Sequence, residues 1–317
     1  MGTATKVPET RDMRGDELSG DEAFEALRRY GGRRLLRDAF VRFRYADGFS
    51  HARALALQTV LSLIPLAIVF VGLSTTLHTE SVGRFAEVTI HRIAQGPSAE
   101  VVDDALARSR RTAGDGTQVA LWFALAFSLS NITTAMCQVE RGANRIYGNE
   151  RDRPFLKKYA RGLVMAVSAG FPLGLGFVMM VAGSDLGAAA VSVYDLGDGA
   201  GAAWTALRWP LGLVLALLSA SAIFRRSPRR RQPGYTWLAF GAAVYLVLWS
   251  LLTWALSLYL SLSGSFDTVY GPLSAFMSLL LWAYLTSVAL FLGLSFAAQL
   301  EAARALHPGP ADPDPGV

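Results

Sequence analysis

The residues of this sequence that could do chemistry are polar side chains within long apolar stretches. Four of them are candidates for a polar path through a helix bundle: Gln58, Asn131, Thr134 and Arg208. Uncharged groups such as Gln58 and Asn131 could line such a path, and they could equally form hydrogen bonds between helices. Arg208 is the one charge within its apolar run, and an intramembrane charge indicates a functional site by default. Because Trp209 follows it, Arg208 could instead be an interfacial arginine that reaches the headgroups.

The sequence contains no recognisable catalytic constellation. Its four histidines are scattered without metal-ligand spacing, and it has no phosphate-binding glycine loop and no nucleophile elbow. A hydrolytic metal centre needs three or more converging His or carboxylate ligands, which the apolar stretches do not offer. The single cysteine, Cys137, excludes an intramolecular disulfide. We therefore predict that the protein is not an enzyme and binds no metal or cofactor.

Composition predicts that most of the chain lies in lipid. Of its 317 residues, 52% are hydrophobic and 17% are charged. Between Gln232 and Leu300, Asp267 is the one charged residue, and about twenty apolar residues form a helix as long as the hydrocarbon core is thick. The fold class predicted is an all-α, polytopic membrane protein. The net charge of +5 is then explained by basic residues that orient the helices, and no nucleic-acid partner is expected.

Six apolar runs predict six transmembrane helices in a membrane domain of residues 33–304. The spans lie near residues 54–77, 119–139, 162–183, 203–224, 237–260 and 272–298. Arg and Lys concentrate before the first span, after the second and after the fourth. This distribution predicts a multi-pass protein of the cytoplasmic membrane with both termini in the cytoplasm. Pro65 and Pro172 fall within spans and predict helix kinks.

The segments outside the spans also carry predictions. The outer loop 78–116 has the pattern of two amphipathic helices, which would either cover a vestibule as a lid or rest on lipid headgroups. The segment Arg33–Tyr45 predicts a basic amphipathic helix along the inner leaflet, with membrane lipids and their anionic headgroups as partners. Residues 1–32 are predicted to be a polar cytoplasmic segment. Residues 305–317 are predicted to be a disordered tail because prolines recur in them.

Several short motifs, in their order along the chain, resemble the YihY/BrkB family of bacterial inner-membrane proteins. They are Ser62-Leu63-Ile64-Pro65-Leu66, Ala143-Asn144-Arg145-Ile146-Tyr147, Arg153-Pro154-Phe155, Pro233-Gly234, Tyr270-Gly271 and Leu281-Trp282-Ala283-Tyr284. The resemblance covers residues 35–304, and the family's six-helix architecture agrees with the span count. It implies that the family-signature positions here are Asn144, Tyr147, Tyr270, Gly271, Trp282, Tyr284 and Gly293.

The resemblance implies a role in the cell envelope without naming a substrate. The family was formerly labelled ribonuclease BN, but the lack of a metal-ligand cluster in this sequence argues against a nuclease. One hypothesis is a transporter or flippase for an amphipathic envelope or lipid-related molecule, based on the kinked spans and the polar stripe of the second span. The alternative is a non-transporting scaffold of envelope assembly, based on the lack of a recognisable buried ion pair.

Overall fold

The computed structural model describes residues 2–9, 18–76, 115–194, 198–262, 273–307 and 309–313, and nearly all of them are helical. The helices of this part of the chain are α1 (Gly20–Tyr30), α2 (Gly32–Tyr45), α3 (Gly48–Thr76), α4 (Asp115–Ile146), α5 (Phe155–Met165), α6 (Phe171–Val181), α7 (Gly183–Tyr194), α8 (Asp198–Arg226), α9 (Tyr235–Leu262) and α10 (Ser274–Arg304). A π-helical turn, Ala166–Gly170, joins α5 to α6. The predicted all-α class is confirmed for the described residues.

Local sequence signals explain where the first two helices begin and end. The backbone N–H of Ser19 donates to Oε2 of Glu22 at 3.0 Å, which is one half of a capping box at the start of α1. Gly31 separates α1 from α2 with a φ of 80°, a left-handed conformation that glycine adopts without a steric penalty. Helix α2 matches the predicted basic amphipathic segment. Helix α1 lies within residues 1–32, which the sequence predicted to be a polar cytoplasmic segment.

The long helices form a closed ring. Helix α3 packs against α4, α4 against α5, α6 against α8, α8 against α9, and α9 against α10. The ring closes because α10 also packs against α3. Helix α2 lies against α10, and α1 contacts both α9 and α10. Successive helices that pack as neighbours are typical of helix bundles.

Glycines permit the closest contacts in this ring. A Cβ atom added to Gly293 would lie 2.7 Å from the carbonyl oxygen of Gly241, and the reverse distance is also 2.7 Å. Gly176 and Gly212 make a similar contact between α6 and α8, at 2.9 Å in each direction. Small residues let helix backbones approach closely enough for extensive van der Waals contact. Gly293, a family-signature position, therefore lies at the tightest part of the α9–α10 contact.

Four helical stretches of the described chain are long and apolar enough to cross a membrane. They are Phe155–Met180, Gly199–Arg226, Tyr235–Leu262 and Phe276–Arg304, and they correspond to the predicted third to sixth spans. The predicted first and second spans fall on α3 and α4, which are 29 and 32 residues long. The structure does not establish these two helices as spans. The count of six therefore stays a prediction.

The two prolines at which kinks are predicted occupy different helical positions. Helix α3 continues through Pro65 without a break. Pro172 lies at the start of α6, directly after the π-helical turn. Proline cannot donate a hydrogen bond to the residue four positions earlier, and a π-helical turn is one way in which a helix accommodates that loss. The third predicted span is thus irregular at its proline, whereas the first has continuous helix.

Packing is much tighter in one half of the bundle than in the other. In α10, residues 287–303 are all buried except Leu292, whereas Ala283 is the one buried residue of the range 276–286. Helix α9 changes in the same way, since most residues of 250–262 are exposed. The bundle is therefore closed at the end that carries the C terminus of α10. Toward the opposite end, the described parts of α9 and α10 are loosely packed.

Two predictions concern segments outside the helices of the ring. Residues 78–114, which include the predicted amphipathic helices of the outer loop, lie outside the described residues. Within the predicted disordered tail, residues 309–313 lie antiparallel to residues 2–9, with a β-bridge between Ala4 and Ala311. The N–H of Asp312 also donates to the carbonyl of Thr3 at 2.8 Å. Proline disfavours a helix but is compatible with an extended edge segment, so an ordered pair replaces the predicted disorder in these residues.

Candidate functional site

Buried and half-buried charged side chains form a layer at the tightly packed end of the bundle. We call this end the basic end. It carries the N terminus of α3 and the C termini of α4, α8 and α10. The layer, named here the ionic layer, consists of Arg42, Glu140, Asp152, Arg153, Arg230 and Glu301. Buried charges are costly unless they are paired and hydrogen-bonded. Each member has a charged partner or hydrogen-bond acceptors, but Oε1 of Glu140 and Oε2 of Glu301 are buried without a hydrogen-bond partner among the described residues.

Arg42 is fully buried, with 0% of its surface exposed. Its Nε donates to Oε1 of Gln299 at 2.9 Å, and its Nη1 donates to the carbonyl oxygens of Thr5 at 2.7 Å and Ile146 at 3.0 Å. These acceptors belong to the N-terminal segment, to α4 and to α10. A guanidinium presents five donors in a rigid fork, so one arginine can join several elements. Burial lowers the pKa of Arg42 to about 10, which leaves it charged at neutral pH.

Arg230 and Glu301 form the most deeply buried ion pair of the layer. Their side chains are 3% and 0% exposed, and Nη2 of Arg230 lies 2.5 Å from Oε1 of Glu301. Nη1 of Arg230 donates to the carbonyl of Val7 at 3.1 Å, and the guanidinium lies 4.7 Å from the centre of the Tyr147 ring. Burial raises the pKa of the Tyr147 phenol, so the ring stays neutral beside the cation. The sequence-based argument that the chain lacks a buried ion pair was therefore wrong.

The arginine of a second ion pair links α4 to the loop between α8 and α9. Nη1 of Arg153 lies 2.9 Å from Oε2 of Glu140. The same guanidinium donates to the carbonyl oxygens of Ser227 at 3.1 Å and Pro228 at 2.9 Å. Charge-assisted hydrogen bonds of this kind are stronger than those between neutral groups. Arg153 thus has a structural contact in addition to the orienting role predicted for basic residues of this loop.

Asn144 and Asp152 connect the end of α4 to the loops around it. Nδ2 of Asn144 donates to Oδ1 of Asp152 at 2.9 Å, and Oδ1 of Asn144 accepts the N–H of Arg229 at 2.7 Å. Nζ of Lys158 lies 2.6 Å from Oδ2 of Asp152. Burial raises the pKa of the Asp152 carboxyl, but the hydrogen bonds from Lys158 and Asn144 outweigh that effect and leave the pKa below its usual value. Asn144 is a family-signature position, and its side-chain amide both donates and accepts a hydrogen bond.

The two terminal segments cover this layer. Besides Thr5, the C-terminal segment supplies an acceptor to Arg42, because the carbonyl of Gly309 lies 3.5 Å from its Nη2. The N–H of Val7 donates to the carbonyl of Tyr147 at 3.2 Å, and Val7 is itself buried. Residues 2–9 and 309–313 therefore provide backbone carbonyls to the buried arginines. The sequence predicted these residues to belong to a polar segment and to a disordered tail.

The four residues of the predicted polar path lie on three different helices. Asn131 and Thr134 donate to carbonyls of their own helix, those of Phe127 at 2.8 Å and Ser130 at 2.8 Å. Gln58 lies on α3 and is partly exposed. Arg208 lies on α8, which packs mainly against α6, α7 and α9. The structure shows no contact that brings these four together, and the polar path stays a prediction.

Arg208 packs against the start of α7. A Cβ atom added to Gly183 would lie 3.2 Å from Cδ of Arg208. The Nε of Arg208 is buried without a hydrogen-bond partner among the described residues.

Polar contacts between α3 and α4 support the interpretation of the remaining polar residues as links between helices. Oγ of Ser128 donates to the carbonyl of Ser62 at 3.2 Å. Nε2 of Gln138 lies 2.8 Å from Nδ1 of His51. Burial lowers the pKa of His51, which favours the neutral ring whose Nδ1 accepts the Gln138 proton. Interhelical hydrogen bonds in membranes are worth roughly 0.6 to 2 kcal/mol each.

The family-signature residues that the structure describes contribute to packing or to the ionic layer. Asn144 and Tyr147 belong to the surroundings of the ionic layer, and Gly293 to the α9–α10 contact, as described above. Trp282 and Tyr284 are partly buried against the core that contains Ala56. Tyr270 and Gly271 lie outside the described residues. The described signature residues therefore contribute to the packing of the helices or to the ionic layer.

Sequence reasoning missed Arg42, Glu140, Arg153, Arg230 and Glu301 as a buried set. A signal was present for Arg42, because it follows Ala39 by three residues and Leu35 by seven, on the arc of α2 that is buried. Arg153 and Arg230 lie in segments whose basic charge was explained by orientation alone. Glu301 lies just beyond the last predicted span. No property of a single position indicates which of these charges becomes paired.

The described residues offer no group of three or more His, Cys, Asp or Glu side chains that could hold a metal ion. The ion pairs of the ionic layer can hold the basic end of the bundle closed. The family model described as Virulence factor BrkB matches residues 39–315.

The chain belongs to the BrkB family.

Curated relatives place this BrkB-family protein among membrane proteins. It is 22% identical over 272 residues to the ribonuclease-like protein YfkH of Bacillus subtilis, which covers 86% of this chain and 97% of YfkH. It is 30% identical over 260 residues to a UPF0761 membrane protein of Xanthomonas campestris, which covers 81% of this chain and 58% of that relative. The UPF0761 membrane protein of Xanthomonas axonopodis matches at 30% over 266 residues. No solved structure matches the chain.

These comparisons confirm the resemblance that the motifs indicated. The chain spans nearly all of YfkH but somewhat more than half of the Xanthomonas relatives, at 58% of their length. The ribonuclease-like description belongs to YfkH. This protein is a membrane protein of the BrkB family with several apolar helices.

Proposed function

We propose that this BrkB-family protein moves an amphipathic, lipid-related molecule of the cell envelope across the cytoplasmic membrane. Both termini and the basic end would face the cytoplasm. The observation that carries the proposal is the packing asymmetry of the bundle, in which residues 287–303 of α10 are almost all buried and residues 276–286 are not. A transporter that alternates access is closed at one end and accessible at the other in any one state. On this proposal the ionic layer is the closed inner gate.

The chemistry of the ionic layer suits a gate. Separation of the partners of a buried ion pair is costly, because each charge would be left uncompensated, and removal of one partner costs roughly 3 to 5 kcal/mol. The pair Arg230–Glu301 joins the α8–α9 connection to α10, and Arg153–Glu140 joins the α5 side to α4. An opening of the basic end would have to move each pair as a unit or provide new partners for its members. Substrate binding in the loosely packed half is one source of the necessary free energy.

The loosely packed half supports the proposed class of substrate. Its side chains include large exposed apolar groups, such as Trp122 and Phe123 on α4 and Trp254 on α9. Ser130 and Asn131 add polar groups about two turns further along α4. Apolar surfaces of this kind are suited to acyl chains, and the polar groups to a headgroup or other polar part. A molecule with both properties is amphipathic.

A scaffold of envelope assembly is the second candidate. The observation in its favour is that Asn131 and Thr134 donate to carbonyls of their own helix rather than toward a shared path. A scaffold would keep the basic end closed permanently, since it needs no second state. The two functions therefore differ in whether the ionic layer opens.

The test uses two serines of α10 that lie at different depths. Ser278 is partly exposed in the loosely packed half, and Ser295 is buried near the ionic layer. Each is replaced by cysteine in a Cys137→Ser background, and whole cells are treated with a thiol reagent that does not cross the membrane. We expect Ser278→Cys to be labelled and Ser295→Cys to be protected. Purified protein is then placed in vesicles, and translocation of headgroup-labelled phospholipids is followed.

A gate variant gives the decisive comparison. The double substitution Arg230→Gln with Glu301→Gln removes both charges, so neither is left unpaired. Transport predicts that Ser295→Cys becomes labelled in this variant when the same reagent is added to inverted membrane vesicles, whose basic end faces the outer solution, and that lipid translocation changes. Arg231→Gln is the control, because Arg231 is an exposed neighbour in the same loop. Protection of both cysteines together with unchanged lipid distribution in every variant would favour the scaffold.

A further inference from the structure

Helix α2 has three distinct faces. One face is buried against the bundle and includes Leu35, Ala39, Arg42 and Phe43. A second face is apolar and exposed, with Leu36 at 50% and Phe40 at 44% exposure. The third face is basic and exposed, and its members are Arg33, Arg34, Arg37 and Arg44. Because a helix turns once in about 3.6 residues, the exposed apolar and basic faces are adjacent.

Helix α2 lies at the depth where a membrane span ends. The candidate span Phe276–Arg304 has 29 residues, and a helix of that length is about 43 Å long, whereas the hydrocarbon core is about 30 Å thick. Because Glu301 and Arg304 lie in the last turn of α10, we infer that this end of the helix is the one that extends into the headgroup region. Helix α2 is joined to this end, because Arg42 donates to Gln299. The exposed faces of α2 consequently lie at headgroup level rather than in bulk solvent.

We propose that the exposed faces of α2 bind anionic phospholipid headgroups of the membrane that the bundle crosses. Charge complementarity supports this occupant: four arginines are exposed on a helix of 14 residues whose one acidic residue is Asp38. Asp38 lies 4.0 Å from Arg34 and leaves the other three basic groups for phosphate. Leu36 and Phe40 then insert beside the glycerol and acyl region, as in amphipathic interfacial helices.

The same geometry connects lipid binding to the ionic layer. Arg42 lies on the opposite side of the rigid helix from Arg37 and Arg44, and it holds α4, α10 and the N-terminal segment together. Headgroups that bind the exposed faces of α2 therefore also restrict the position of Arg42. Anionic lipid is therefore expected to stabilise the closed basic end. This inference does not depend on transport, since a scaffold would be stabilised in the same way.

Binding is tested with an environment-sensitive fluorophore at position 36. Leu36→Cys in the Cys137→Ser background is labelled, and the whole protein is placed in nanodiscs of phosphatidylcholine with or without phosphatidylglycerol. We expect a blue-shifted emission when phosphatidylglycerol is present. Replacement of Arg33 and Arg37 by glutamine should weaken the apparent affinity for phosphatidylglycerol, which the fluorophore reports. We expect a loss of roughly fivefold for each charge removed, on the basis of about 1 kcal/mol per basic residue. Replacement of the same two residues by lysine should preserve it.

The matched control removes two other exposed arginines of the basic end, Arg151 and Arg231. That double glutamine variant should respond to phosphatidylglycerol as the parent protein does. Anionic lipid should also raise the melting temperature of the parent and control proteins more than that of the Arg33 and Arg37 variant. A shift that is the same in both lipids, or that is equally lost in the control, would overturn the proposal. A shift that grows with protein concentration would show that a second copy covers this face, and it would also overturn the proposal.

Discussion

Nε of Arg42 donates to Oε1 of Gln299 at 2.9 Å, although 257 residues separate them in the chain. This bond joins α2, the short helix at the basic end, to the last turns of α10. Both side chains are buried, and Gln299 supplies a neutral acceptor to a charged donor. Hydrogen bonds to charged groups contribute roughly 1.5 to 3 kcal/mol each. The second and the last helices of the described chain are therefore linked through one arginine.

Replacement of Arg42 is expected to destabilise the protein strongly. Arg42→Gln removes a charge and most of its donors, so the carbonyls of Thr5 and Ile146 lose their partner. We expect a loss of roughly 3 to 5 kcal/mol in the free energy of unfolding, because buried polar groups are left unsatisfied. The measurement is thermal unfolding of the purified protein in detergent.

Arg37→Gln is the matched control for this change, since Arg37 is exposed on the same helix. It should alter the melting temperature very little in detergent. Arg42→Lys should recover only part of the loss, because an ammonium group cannot reach three acceptors in the geometry of a guanidinium. Equal melting temperatures for the Arg42 and Arg37 variants would contradict the structural role of Arg42.

Glu301→Gln is expected to cost more than a similar change in an exposed ion pair. The amide has nearly the same shape as the carboxylate, but it leaves the charge of the buried Arg230 without compensation. We expect a loss of roughly 3 to 5 kcal/mol. Asp38→Asn, which removes the exposed i,i+4 pair with Arg34, should cost less than about 1 kcal/mol. Chemical denaturation of both variants under the same conditions makes the comparison, and similar losses would show that the layer is hydrated rather than buried.

Gly293→Ala should disturb the contact between α9 and α10. The added Cβ would lie 2.6 Å from Cβ of Tyr245 and 2.7 Å from the carbonyl oxygen of Gly241, so backbone has to move. Overpacking of this kind costs roughly 1 to 3 kcal/mol. Gly174→Ala is the control, because a Cβ there meets no atom within 4 Å, and it should be neutral or slightly stabilising. Thermal melts of the two variants test this, and an unaffected Gly293→Ala protein would mean that the two helices are further apart in solution.

Acidification is expected to weaken the contact between α3 and α4. Burial places the pKa of His51 below its ordinary value of 6.5, so the unfolded chain takes up a proton at a higher pH than the folded protein does. The contribution of the neutral ring is therefore complete above about pH 6.5 and declines as the pH falls below that value. Protonation would also remove Nδ1 as the acceptor for Gln138.

The measurement is the melting temperature at about pH 7.5 and about pH 5, near either side of the ordinary titration range of histidine. The wild-type protein should lose more stability between these values than His51→Gln, which has no titratable group at this position. His307→Gln is the control, because that histidine is exposed near the C terminus. A pH dependence that persists unchanged in His51→Gln would assign it to another group.

Sequence patterns indicated the family and the position of most long helices correctly. The motif around Asn144 and Tyr147 led to the BrkB family, which the match over residues 39–315 confirms. The apolar runs indicated the four candidate spans because the hydrocarbon core demands length and apolar character from any helix that crosses it. The basic helix at Arg33–Tyr45 followed from its periodicity, since an amphipathic pattern is a property of neighbouring residues.

The sequence by itself determined that this is a helical membrane protein, because apolar length and helical period are local properties. Only the tertiary structure decided which charges are buried. Arg37 and Arg42 are the same residue type five positions apart, yet one is exposed and the other lies in the core. Arg230 and Glu301 became an ion pair because the ring brings the start of α9 beside the end of α10. Such pairing depends on long-range packing, in which the partner that compensates each buried charge comes from a distant part of the chain.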